Sequence, residues 1–77
     1  MNNQTTKETL NKIKRLGENI AKERNAKNLT QNAFADLLDI SREHLAKIET
    51  AKRSVSLDLL INIAEKLNIK VKDLIEF

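Results

Sequence analysis

The stretch TQNAFADLLDISREHLAKI, residues 30–48, decides the fold. It holds two short helical runs, each opened by a hydroxyl residue: Thr30 before residues 31–38, and Ser41 before a run to about Thr50. A side-chain oxygen at such a position accepts a hydrogen bond from a backbone N–H in the first turn, which would otherwise lack a partner. Phe34, Leu37 and Leu38 are expected to face inward on the first helix, and Leu45 and Ile48 on the second. Asp39 breaks the pattern, and only Asp39 and Ile40 separate the first helix from the second cap. So short a link cannot lay the two helices side by side, so they cross steeply. Ala35, small and on the inner face, permits the close approach. This is the physical content of a helix-turn-helix.

Working outward, Ser56 caps a fourth helix with Leu57, Leu60, Ile63, Ala64 and Leu67 on one stripe. Asn68 suits the left-handed position that ends it. A short fifth helix over residues 71–77 carries Val71, Leu74 and Ile75. Upstream, Thr5 and Glu8 read as a capping box. Ile13, Leu16, Ile20 and Arg24 then follow at helical steps, giving a first helix to about Lys27. Gly17 sits inside it at a cost of about 1 kcal/mol relative to alanine. It either divides an N-terminal extension, residues 1–12, from the folded domain, residues 13–77, or is carried within one helix. With no proline, one glycine and no long apolar/polar alternation, the chain reads as all-α: a compact five-helix domain.

Seventy-seven residues make one domain with a thin core, and a chain of that size usually needs a staple. There is no cysteine for disulfides, thiolate zinc or nucleophilic chemistry, and the single histidine, His44, cannot build a metal site alone. Self-association is the remaining staple. No cofactor, metal or small-molecule ligand is indicated. No apolar run suggests a membrane span and the first residues are polar, so a cytoplasmic protein is expected. The net charge of +3 is unevenly spread. Residues 1–29 carry seven basic against three acidic side chains, whereas residues 55–77 carry three against four. The basic excess lies N-terminal, leaving the C-terminal third free for something other than phosphate.

Leu29-Thr30-Gln31, Ala35, Ile40-Ser41, Leu45, Ile48-Glu49 and Lys52-Arg53 together resemble the lambda-repressor/Cro-type helix-turn-helix family, also called the xenobiotic-response-element family. The similarity runs from about Leu16 to Ile75. It departs at Asp39 and Ala51, where the family commonly has glycine, at Val55 in place of proline, and at Lys70 in place of a hydroxyl cap. The resemblance implies that helix 3 enters the major groove of double-stranded DNA N-terminus first, presenting Arg42, Glu43, His44 and Lys47 to base edges. Arg42 suits a bidentate contact to guanine. Glu43 either accepts from cytosine or orients Arg42, and His44 reads a base or touches the flank. Gln31, Ser41, Thr50, Lys52 and Arg53 are the implied phosphate contacts. Arg24 and Glu49 match a pair that ties helix 1 to helix 3.

One recognition helix covers few base pairs, so the expected form is a homodimer on an inverted-repeat operator. Its candidate surface is helix 5, through Val71, Leu74, Ile75 and Phe77, with the exposed side of helix 4; the N-terminal extension is a second candidate. The leading function is a transcriptional regulator of repressor, phage, plasmid or restriction–modification controller type, with no sensory domain expected. The alternative is an antitoxin or transcriptional adaptor that uses the fold for protein–protein contact, although the toxin-binding tail usual in antitoxins is expected to be lacking. An enzyme is not expected: no nucleophile turn, phosphate-binding glycine loop or metal cluster is present in the sequence.

Overall fold

Hydroxyl side chains start four of the five helices in the computed structural model, which describes residues 6–77. The elements are α1 Lys7–Ala26, α2 Gln31–Leu38, α3 Arg42–Glu49, α4 Leu57–Leu67 and α5 Val71–Leu74. The Oγ atoms of Thr6, Thr30, Ser41 and Ser56 accept the N–H of Thr9, Ala33, His44 and Leu59 at 3.1, 3.0, 2.9 and 3.3 Å. The cap of α1 is thus Thr6; Thr5, expected in that role, lies outside the described residues. At α5 the Asp73 carboxylate accepts the Lys70 N–H at 2.9 Å, which replaces a hydroxyl cap with a returned acidic one. That helix is a single turn and stops at Leu74, short of the expected residue 77.

Each helix junction turns on one left-handed residue: Asn28, Asp39, Ala51 and Asn68, with φ of 57–60°. Asn and Asp tolerate this region because their short polar side chains bond locally. Ala51 has no such compensation. Ala51→Gly is therefore expected to stabilise the protein: relief of about 1–2 kcal/mol of left-handed strain exceeds the extra entropy glycine loses on folding, roughly 0.4–1 kcal/mol. A rise of a few degrees in Tm is the expected reading, and an unchanged or lower Tm would contradict the strain.

The core is built around Ile20, Phe34, Leu45, Ile63, Leu67 and Leu74, all fully buried. α2 packs on α3 and α4, while α1 spans α3, α4 and α5. Two expected core residues are exposed. Leu37 is 49% exposed because α2 buries the Phe34, Ala35 and Leu38 stripe, and Leu37 lies about 100° round the helix from Leu38. Leu57, at 70%, opens α4 ahead of its first buried turn. Leu74 corrects a different expectation: at 0% exposure it belongs to the protomer core and offers nothing to a partner. The Asn19 amide donates to its carbonyl at 2.8 Å, fastening α1 to α5.

Gly17 lies within an unbroken α1 and does not divide it. It is buried, and a Cβ there would stand 2.6 Å from the Glu49 carbonyl oxygen and 2.7 Å from that of Ile48. Helix α1 therefore crosses the C-terminal end of α3 with no side chain between them. Beyond this crossing its first turns run outward, with residues 7–12 all exposed, and the molecule measures 40 × 23 × 19 Å. Among the described residues no helix is long and apolar enough to cross a membrane.

Candidate nucleic-acid interface

The site begins with the turn at Asp39. Its left-handed backbone lets its own N–H bond Asp36 O at 3.2 Å, and the Ile40 N–H bonds Ala35 O at 3.0 Å, so two of the last carbonyls of α2 are satisfied at the bend. The chain then reverses into Ser41, whose cap directs the start of α3 outward. Leu45 and Ile48 are buried in the core, with α3 packed on α1 and α2, while Arg42, Glu43 and Lys47 are exposed and His44 is half-buried. The two helices are separate, and the outer face of α3 is left uncovered by the other described residues.

Behind that face stands a polar relay. Arg24 Nε and Nη2 donate to the Glu49 carboxylate at 2.7 and 3.1 Å, a bidentate pair, and Arg24 Nη1 donates to the Leu29 carbonyl at 2.6 Å. Both side chains are almost completely buried. The Gln31 amide donates to Glu49 Oε1 at 3.0 Å, and Arg42 Nη1 donates to Gln31 Oε1 at 3.4 Å. One connected set of hydrogen bonds thus leads from α1, through the end of α3 and the start of α2, to the first residue of α3. Gln31 is more than a candidate phosphate contact: it sits between the buried pair and Arg42, with its second amide hydrogen still free to face outward. The sequence carries no local signal for this role, because the three elements involved are distant along the chain.

The other expected site residues divide by what their polar atoms already do. Lys47 Nζ pairs with Glu43 Oε1 at 3.2 Å, but both are well exposed, and such a pair is worth only about 0.3–0.5 kcal/mol. It holds the two side chains on one face and breaks readily when a base edge competes. Ser41 Oγ accepts the His44 N–H, which leaves its own proton free to donate. Thr50 differs: its hydroxyl donates back to the Ala46 carbonyl at 2.8 Å, so reaching a phosphate would require turning it away. Lys52 and Arg53 are exposed on a tight turn in which both backbone N–H groups bond the Lys47 carbonyl at 2.8 and 3.3 Å. Of the expected dimer residues, Ile75 and Phe77 are exposed, Val71 is half-buried, and Leu74 is inside.

The sequence profile of the Cro/C1-type helix-turn-helix family matches residues 20–74. Control protein C.SmaI of Serratia marcescens is 35% identical over 60 residues, covering 78% of this chain and 71% of its own length. Antitoxin PezA of Streptococcus pneumoniae is 37% identical over 60 residues, which span 78% of this chain but 38% of the antitoxin. Among solved structures, the restriction-modification controller protein C.AhdI of Aeromonas hydrophila superposes with a TM-score of 0.77 at 29% identity, covering 80% of this chain and 94% of the controller. The clp gene regulator ClgR of Corynebacterium glutamicum does so with a TM-score of 0.78 at 25% identity, over 82% and 67% of the two chains. With more than half the chain matched and two short helices joined at the left-handed Asp39, this protein belongs to the Cro/C1-type helix-turn-helix family.

Proposed function

We propose that the protein is a transcription regulator that binds specific double-stranded DNA sequences, as a homodimer on an inverted repeat. The observation that carries this is the outer face of α3. Its Arg42, Glu43 and Lys47 are uncovered at the end of a helix whose opposite face is locked in the core. Similarity to a control protein, a restriction-modification controller protein and a gene regulator supports the same reading. Arg42 reads a guanine with the guanidinium edge that Gln31 does not hold, while Lys52 and Arg53 hold the backbone beside it. Exposed Ile61 on α4, with Ile75 and Phe77 beyond α5, offers apolar surface for a second copy. Two such copies reach half-sites about 34–36 Å apart.

Selection of bound sites from a random duplex library tests this, because it returns half-site sequence, symmetry and spacing together. Arg42→Ala is expected to relax preference at one position in each half-site, a loss of about 1–3 kcal/mol of discrimination. Lys52→Ala weakens all sequences alike and reduces the salt dependence by about one unit of slope for each protomer of the bound dimer. A selection that returns no preferred sequence, or a concentration-independent monomer in sedimentation, overturns the corresponding half of the proposal. The identity with antitoxin PezA favours a second reading, in which the fold also serves a protein partner. Stable co-purification of a second chain, with Arg42→Ala leaving both DNA selection and that complex unchanged, would establish it instead.

A further inference from the structure

We infer that the projecting half of α1 is a second phosphate-binding edge, which grips the duplex backbone beyond the bases that α3 reads. The inference rests on the DNA-binding reading above and concerns residues outside the helix-turn-helix. Lys7 and Lys14 are seven residues apart, so they share one face of α1 about 10 Å apart, the rise of roughly three phosphates along one strand. That face is turned toward the α3–α4 turn: Lys7, Leu10, Ile13 and Lys14 line one shallow concavity with Ala51, and Lys14 borders the next with Glu18, Glu49 and Thr50. The turn itself carries Lys52 and Arg53. The four cations thus belong to neighbouring segments, α1 and the turn it flanks, on the side where the chain leaves α3.

Their charges are unspent. Among the described residues the ion pairs are Arg24–Glu49 and Lys47–Glu43, and none of Lys7, Lys14, Lys52 and Arg53 has a carboxylate within pairing distance. Two carboxylates approach this edge. Glu49 is neutralised by its buried partner Arg24, and Glu18, one turn beyond Lys14, is exposed and makes no ion pair. A different side of α1 provides an internal comparison. Lys12 and Arg15 carry equal charge there, but they share their concavity with Glu8 and Phe77 near the C-terminus, away from the α3–α4 turn. Phosphate contact requires position, whereas long-range attraction requires only charge, and the two faces separate these effects.

The test compares Lys7→Gln/Lys14→Gln with Lys12→Gln/Arg15→Gln, measuring affinity for the selected duplex, with long flanks, across a salt series. Both pairs are exposed, so equal Tm for all three proteins is the check on folding. The Lys7/Lys14 variant is expected to lose about 1.8 units of salt slope for each protomer, or about 3.6 for the bound dimer, which makes its affinity fall roughly a hundredfold less than wild type over a fourfold rise in salt. Its selected base sequence stays the same, and the Lys12/Arg15 variant loses clearly less slope. Equal losses in the two variants, or an unchanged slope in the first, overturn the second edge while leaving the helix-turn-helix reading intact. Failure of the wild-type protein to bind any duplex would sink that reading instead.

Discussion

Gly17→Ala is expected to destabilise the protein strongly, against the helix propensity of alanine. Two effects oppose each other at this position. In an exposed helix interior, alanine is favoured over glycine by about 1 kcal/mol. Here the new methyl carbon would stand 2.6 and 2.7 Å from two backbone oxygens and 2.9 Å from the Glu49 carbonyl carbon. No rotamer relieves that contact, because every atom concerned is main chain or Cβ. Relief requires α1 to withdraw from α3 by several tenths of an ångström. Overpacking of flexible cores costs typically 1–3 kcal/mol, and a contact with backbone on both sides lies at or above the top of that range. The withdrawal also pulls Arg24 from Glu49, since both flank the same crossing. The steric term wins. A domain of this length has about 4–12 kcal/mol of total stability, so a net loss of about 2–3 kcal/mol should clearly lower the urea midpoint and reduce Tm by roughly 10–20 °C. A Gly17→Ala protein as stable as wild type would mean that α1 and α3 do not touch in solution.

The same glycine shows where a sequence stops being informative. Its helical propensity is a local property and is readable from the chain; its neighbour, the end of α3, lies more than thirty residues away and is not. Features decided within a few residues were legible. Thr30, Ser41 and Ser56 cap helices because a hydroxyl and an N–H three residues on meet within one turn. Asp39 and Asn68 are left-handed because few residues tolerate that backbone. Together these place the outward face of α3, and so the candidate readers Arg42, Glu43 and Lys47. Features decided by which helices overlap were not legible. Leu37 and Leu57 have apolar side chains at sites no neighbour covers, and Leu74 occupies one that α1 and α4 close completely. Gln31 fits both patterns. Its place at the start of α2 was visible, but its hydrogen bonds to Glu49 and from Arg42 arise only when three elements converge.

Glu49→Ala is expected to cost about 3–5 kcal/mol, because it leaves a buried guanidinium without its counter-charge. Arg24 has a side chain only 10% exposed, and its Nε and Nη2 both donate to the carboxylate. Without Glu49 only Nη1 keeps its partners, the Leu29 carbonyl and the Asn25 side chain. Since 1 kcal/mol moves Tm by about 4–8 °C in a domain of this size, the loss should reach roughly 12–40 °C. Removing both partners together, in Arg24→Met/Glu49→Leu, should cost far less than the two single changes combined, since no charge then stays buried alone. The relay adds a separate consequence for function. Glu49 holds the Gln31 amide, and Gln31 in turn accepts from Arg42. The double variant, although folded, should therefore read its guanine less selectively than wild type, while its dependence on salt is preserved because no exposed cation has been lost. Stability and reading separate in that one protein. If Glu49→Ala kept its wild-type Tm but lost DNA binding, the carboxylate would be serving the groove directly, and the buried pair would not be what joins α1 to α3.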